Sequence, residues 1–162
     1  DVCSSDLSRE SARRTSCQNN LKQIALGCLA HEQALGFYPC GGWAWGWLGD
    51  PDMGYGDRQP GGWVFNLLPY AEEVQRRNIG TGETFEQKKA SRVTLVSLPL
   101  GLFLCPTRRA TTPFGYPYHD KWNLNYTPTL SARGDYAINA GSQPRNQIFR
   151  GPSTLEEGLS KT

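Results

Sequence analysis

Along this chain the apolar positions repeat with a helical period over only one long stretch. Counting 100° per residue from Cys17, the positions Leu21, Ile24, Cys28, His31 and Leu35 return to within about 40° of one line, with Gln18, Asn19, Lys22 and Glu32 off its centre. The pattern predicts an amphipathic helix over Ser8–Leu35, with one sticky stripe that carries two cysteines. Its ends are marked. Ser8 can cap the N-terminus, Glu10 lies in the first turn, Gly36 suits the position after the last turn, and Pro39 cannot continue the helix. Gly27 inside it costs about 1 kcal/mol against alanine, which points to close packing there.

After the helix the pattern changes. Gly41–Gly62 is a long loop rich in Gly, Trp and Asp, of the length that is more often functional or mobile than short connections are. Trp63–Leu68 is a continuous apolar run, expected as a buried strand or a strand–helix junction, broken by Pro69. Tyr70–Asn78 suits a short helix, with Glu72 and Glu73 early and Arg76 and Arg77 late. Arg92–Leu98 fits a strand or a helix end. Leu102–Cys105 fits a short buried strand ended by Pro106, and Asp135–Ala140 alternates as a further strand, ended by Gly141-Ser142. Thr107–Leu130 is a proline-bearing surface excursion, and no internal repeat is visible. The expected fold class is α+β: a long N-terminal helix packed on an antiparallel sheet with long loops.

Composition sharpens this picture. The chain has 162 residues, enough for one domain with a real core. Only 20% are charged, while 18 Gly, 11 Pro, 5 Trp and 7 Tyr fit a loop-rich domain with aromatic packing better than a helical bundle. Asp1-Val2-Cys3-Ser4-Ser5-Asp6-Leu7 looks like the translation of a common sequencing adaptor, so residues 1–7 are set aside as a scar and Ser8–Thr162 is taken as the single domain, expected to be truncated at both ends. Without Asp1 and Asp6, 13 acidic residues face 17 basic ones, and the net charge moves from +2 to +4. The basic residues fall in scattered pairs, which does not make a nucleic-acid surface. No stretch reaches the roughly 18 apolar residues of a membrane span.

Cys17, Cys28, Cys40 and Cys105 remain beyond the scar. None has C-x-x-C spacing and the chain holds only two histidines, so a zinc site has little support. Two disulfides in an oxidising compartment fit the even count, and four reduced buried thiols are the alternative. Trp43, Trp45 and Trp47 alternate, so an extended segment would present all three on one face, either as a stacking row for sugar rings or as cover for the sheet. Asp50, Asp52 and Asp57 gather three carboxylates in a glycine-bearing loop, a candidate calcium site whose spacing misses the EF-hand pattern; a solvated acidic loop is the other reading. His31-Glu32 begins like H-E-x-x-H, but Leu35 stands where the second histidine belongs, and His119-Asp120 has no partner nucleophile. With no G-x-S-x-G, P-loop or G-x-G-x-x-G, no catalytic residues are expected and the protein is not expected to be an enzyme.

Several blocks together resemble a known family. Glu10-Ser11-Ala12-Arg13-Arg14-Thr15-Ser16-Cys17-Gln18-Asn19-Asn20-Leu21-Lys22-Gln23-Ile24-Ala25-Leu26 looks like the post-membrane segment of DUF1559 proteins, pilin-like proteins abundant in planctomycete bacteria. Gly36-Phe37-Tyr38-Pro39 resembles an element G-x-(F/Y)-P-P-G-G, with Cys40 in place of the second proline before Gly41-Gly42. Gly62–Glu72 resembles W-x-x-x-(L)-L-P-Y-(L)-E, Phe103–Thr107 resembles F-x-C-P-S/T, Asp135–Gly141 resembles (S/D)-Y-A-x-N-x-G, and Leu155–Thr162 resembles a drifted I-x-D-G-T-S-N-T.

The resemblance implies a pilin-like fold, a prepilin-type cleavage and methylation site with an apolar helix upstream of Ser8, and a place in the cell envelope or on its outer face. It implies assembly with other pilin-like subunits by a type II secretion or type IV pilus-like machine, and it supplies no catalytic activity or cofactor. It also orders the cysteines. Cys17 and Cys105 lie in shared blocks, so they are expected to bridge helix and sheet, leaving Cys28 and Cys40 to pair across the end of the helix. A loop of that size contributes about 3 kcal/mol in the chain-entropy model. The second functional expectation is an extracytoplasmic glycan- or solute-binding module, with Trp43–Trp47 as its binding loop.

Overall fold

The computed structural model describes residues 2–44, 46–116, 123–124, 127–138 and 151–160. Helix α1 spans Val2–Leu35, so Ser8 lies inside it, its hydroxyl donating to the Ser5 carbonyl at 3.0 Å, and is not the N-cap. Short helices follow: α2 (Trp63–Leu67), α3 (Val74–Arg77), α4 (Phe85–Ser97) and α5 (Leu155–Ser160). Four 3₁₀ turns lie between them, at Pro51–Met53, Gly56–Arg58, Leu68–Ala71 and Gly101–Phe103. Strands β1 (Phe114–Gly115) and β2 (Leu130–Ser131) pair antiparallel, Phe114 opposite Ser131 and Gly115 opposite Leu130. The class is α+β, as expected.

The helix does not lie on that sheet. Helix α1 packs on α2 and on the turns Leu68–Ala71 and Gly101–Phe103, while the β1–β2 ribbon sits at the end of α4. There the Ala132 amide donates to the Val96 carbonyl at 2.7 Å and the Ser97 hydroxyl to the Leu130 carbonyl at 3.0 Å. The expected strands are thus largely replaced by helical turns. Trp63–Leu67 is helical because a short apolar run does not choose between buried strand and buried helix by itself, and Gly62, Pro69 and the buried Asn66 favour the turn. The Asn66 Nδ2 group lies 3.3 Å from the carbonyls of both Gly61 and Gly62, closing the start of α2. Arg92–Ser97 is a helix end, the second half of α4. That helix starts in a capping box: the Gln87 amide donates to the Thr84 hydroxyl at 3.4 Å, and the Thr84 amide to Gln87 Oε1 at 2.9 Å.

Leu102–Cys105 and Asp135–Ile138 run without a ladder. They meet at one point, where the Asp135 amide donates to the Phe103 carbonyl at 2.8 Å and the Cys105 amide to Asp135 Oδ2 at 3.0 Å. Asn139 and Ala140, the end of the expected strand, lie outside the described residues.

The buried line on α1 runs through Cys17, Asn20, Ile24, Gly27, Cys28, His31 and Leu35, and Leu21 is 51% exposed. Asn20 takes the place expected for Leu21 because its side-chain amide finds acceptors in the head: Leu104 O at 3.0 Å, Gly101 O at 3.3 Å and the Tyr136 hydroxyl at 3.4 Å. Gly27 lets the helix come close. A β-carbon there would stand 3.5 Å from Leu67 Cδ2 and 3.6 Å from Tyr70 Cβ. The apolar centre is Ile24, Leu67 and Phe103, ringed by Cys28, Trp63, Tyr70, Leu100, Leu102 and Tyr136. Among the described residues no helix is long and apolar enough to cross a membrane.

Candidate functional site

The long loop after α1 is not loose. Gln59, with no exposed surface, holds it from inside: its Oε1 accepts from the Asp50 and Gly61 amides, each at 3.0 Å, and its Nε2 donates to the carbonyls of Asp50 and Gly54, each at 2.8 Å. Asp50 caps the Pro51–Met53 turn, accepting from the Asp52 amide at 2.9 Å. Its two oxygens also receive Lys88 Nζ and Arg92 Nη2, each at 2.7 Å. Lys88 reaches Asp52 as well, at 2.6 Å, and Asp52 accepts from the Gly82 amide at 2.9 Å.

The titration of this cluster follows its geometry. The Lys88 hydrogen bond, then the Gly82 amide, holds the Asp52 carboxyl below its usual range. Burial pushes the Lys88 ammonium down, but bonds to Asp50 and Asp52 outweigh it and leave the group above its usual value. Burial lowers Arg92, with Asp50 opposing. Arg77 is also lowered by burial; its guanidinium lies over the rings of Phe65 (4.2 Å) and Tyr55 (5.2 Å) and donates to the Gly54 carbonyl at 2.8 Å.

The expected calcium site is therefore filled by the protein's own cation. Lys88 stands between Asp50 and Asp52, and Asp57 is exposed on the next turn. Among the described residues no group of three His, Cys, Asp or Glu side chains is placed to hold a metal.

Of the tryptophan row, Trp43 and Trp47 form no exposed stacking face. The Trp47 amide donates back to the Ala44 carbonyl at 3.1 Å, a contact that strict alternation would not give. Trp47 is 4% exposed and its indole N–H donates to the Pro152 carbonyl at 2.7 Å. Trp43 meets it edge to face at 5.0 Å and donates to the Asp57 carbonyl at 2.6 Å. Trp45 lies outside the described residues, as do His119 and Asp120.

A cavity of about 420 Å³ opens beside Trp47. Its walls are Trp47, Trp63, Phe65, Leu95, Leu100 and Phe103, and its charged lining residues are Arg76 and Arg133. Nothing in the hydrophobic pattern announced it, since it forms where α2, the end of α4 and the Gly101–Phe103 turn meet.

His31 has no exposed surface. Its Nδ1 donates to the Phe37 carbonyl at 2.8 Å, and its ring stands among Phe37, Tyr55 and Tyr70 at 5.4, 5.4 and 5.6 Å. The Nε2 atom is buried without a hydrogen-bond partner among the described residues.

Residues 8–156 match the model of a family described as "Protein of unknown function (DUF1559)". The chain belongs to that family. No curated protein and no solved structure matches it. In this DUF1559 chain, three of the blocks read from the sequence converge on one junction. Cys17 and Cys105 form a disulfide with their Cα atoms 5.2 Å apart, a normal span for such a bridge. The Tyr136 hydroxyl donates to the Cys17 carbonyl at 3.4 Å. Asp135 holds the Cys105 amide and pairs with Arg109 at 2.8 Å. The second expected bridge is not formed. Cys28 and Cys40 are free thiols with different surroundings. Cys28 packs against the Ile24–Leu67–Phe103 centre, where burial pushes its thiol up, whereas Cys40 lies 3.6 Å from the Gly56 carbonyl and 3.5 Å from Asn66 Nδ2.

Proposed function

We propose that this DUF1559 protein is a structural or assembly subunit of the bacterial envelope, pilin-like and without catalytic chemistry. The observation that carries the reading is the junction at Cys17. From Cys17 to Leu35 the helix is fastened to the head, by the disulfide, by Asn20 and by the buried line through Ile24 and His31. Before Cys17 the side chains of Ser11–Ser16 are exposed, and the side chains of Arg14, Thr15 and Ser16 make hydrogen bonds within the helix. At 1.5 Å per residue the stretch Ser8–Leu35 of α1 is about 42 Å long, which supports a head clamped at one end of a projecting helix. A disulfide at that joint suits an oxidising compartment. The outward face of the fastened half carries Leu26 and Leu29, 58% and 47% exposed.

The reading expects an apolar segment encoded upstream of Ser8 as membrane anchor, and neighbouring subunits or secretion machinery as partners. It is tested on the full-length gene product in a bacterial host, with a photo-crosslinking amino acid at position 26. A ladder of crosslinked species in the membrane fraction is the expected result. A single uncrosslinked species, released with the periplasmic contents, would refute it.

A second reading, an extracytoplasmic solute-binding module, is favoured by the apolar cavity beside Trp47. Its glycan form loses the aromatic row, because Trp47 is spent in the core.

A further inference from the structure

We infer that the cavity beside Trp47 is a binding site for an amphipathic monoanion, a carboxylate carried on an alkyl or aromatic body, with Arg133 as the residue that receives the carboxylate. The inference rests on the second reading above and is independent of the first.

The size comes first. A volume of about 420 Å³ falls within the roughly 300–1,000 Å³ of small-molecule sites. The walls are the apolar faces of Trp47, Trp63, Phe65, Leu95, Leu100 and Phe103, which call for an apolar body.

The walls are also held apart. The Trp47 indole is tied to the Pro152 carbonyl, and Trp63 stands edge-on to Phe103 at 5.4 Å. Arg76 bridges across the rim, donating to the Leu98 and Pro99 carbonyls at 3.0 and 3.1 Å. The space is framed by fixed elements, which makes it preformed.

Charge decides the ligand's head. The described lining residues include two arginines and no Asp or Glu. Arg76 is already neutralised by Glu73, at 2.7 Å, and its Nη1 is committed to the rim carbonyls. Arg133 has no carboxylate partner among the described residues, and its one hydrogen bond there is from Nη2 to the Gly115 carbonyl at 3.0 Å. The backbone around it is pinned on both sides, by the Ala132 amide on Val96 and the Asp135 amide on Phe103. Arg133 lines the apolar cavity, and a guanidinium whose remaining donors are uncommitted among the described residues attracts an anion more strongly at such a rim than in open water. Its planar fork matches one carboxylate, which is why a single negative charge is specified.

The probes are decanoate, 1-decanol and decylammonium, titrated against the native chain below their aggregation limits. Binding is read from the fluorescence of the wall tryptophans Trp47 and Trp63. Decanoate is expected to saturate at one site and to bind at least about tenfold tighter than decanol, the worth of a charge-assisted hydrogen bond, with decylammonium weakest. Arg133→Leu should bring decanoate down to the level of decanol, and Arg133→Lys should restore part of the difference. Ala132→Trp, which fills the space, should abolish both. Near-UV circular dichroism checks that each variant is folded, and the charge series on the native chain does not depend on any variant. If neither decanoate nor decanol saturates, the solute-binding reading fails and the inference with it. If the two bind equally and Arg133→Leu changes neither, the cavity takes solutes but the anionic recognition is refuted.

Discussion

Asp50→Asn isolates the electrostatics of the Gly41–Gly62 loop. Asparagine keeps the shape of the side chain and an oxygen to cap the Pro51–Met53 turn, so the change removes little but the charge. In the native protein three cations, Arg77, Lys88 and Arg92, stand against two carboxylates, Asp50 and Asp52. The side chains of Asp50, Arg92 and Lys88 are only 3%, 4% and 9% exposed. After substitution the three cations keep Asp52 and, for Arg92, the more distant charge of Glu83, while Arg92 loses its only ion-pair partner among the described residues. Removing one partner of a buried pair costs about 3–5 kcal/mol, because the other charge stays out of water uncompensated. For a chain of this size that corresponds to a fall in Tm of roughly 6–20 °C.

The companion is the triple variant Asp50→Leu, Lys88→Met, Arg92→Leu. Replacing a whole buried ion cluster by apolar groups is often close to neutral, so it should recover most of the loss. Urea unfolding followed by tryptophan fluorescence measures both, with the m-value reporting whether unfolding stays two-state. If Asp50→Asn lies within about 0.5 kcal/mol of the native protein, or the triple variant is as unstable as the single one, the burial argument is wrong.

Three further outcomes follow from other parts of the molecule. Cys105→Ser opens a loop with a sequence separation of 88 and should cost about 4–5 kcal/mol in the chain-entropy model, while a thiol-reactive polymer in a Cys3→Ser background should add two adducts to unreduced denatured protein and four after reduction. Gly27→Ala should stabilise the protein by about 0.5–1 kcal/mol, since the added methyl meets Leu67 and Tyr70 at ordinary contact distance, whereas Gly27→Leu should destabilise it; thermal melts of both decide. Asp52 has its carboxyl held low in the folded state, so its stabilising share is present above the unfolded value near 3.8 and is lost as pH falls through the lower folded value; acid unfolding of Asp52→Asn should lack that component, and an unchanged acid limb would contradict the Lys88 pairing.

What the sequence disclosed depended on how local the cause was. Helix α1, its approach at Gly27 and the Cys17–Cys105 bridge were readable because periodicity, an unexpected glycine and block resemblance each act over a few residues. The burial line was misplaced onto Leu21 because hydropathy does not know that Asn20 will find two acceptors at a turn more than eighty residues away and a third on Tyr136. Helix α4 was half seen, although Thr84-x-x-Gln87 is a local start signal that periodicity alone overlooks. The carboxylates Asp50 and Asp52 resembled a cation loop for a sound reason: their spacing does gather negative charge. The cation came from Lys88, one turn before Arg92 on a helix that the sequence does not tie to this loop.

The same logic explains the loop's composition. A buried loop must satisfy its own backbone, and charged groups are a costly way to do it. Gln59, Asn66 and Asn123, all without exposed surface, supply neutral donors and acceptors instead: Gln59 to Asp50, Gly54 and Gly61, Asn66 to Gly61 and Gly62, and Asn123 to both polar groups of the Leu48 backbone. These buried neutral amides are the means by which a long irregular segment becomes a wall of the cavity.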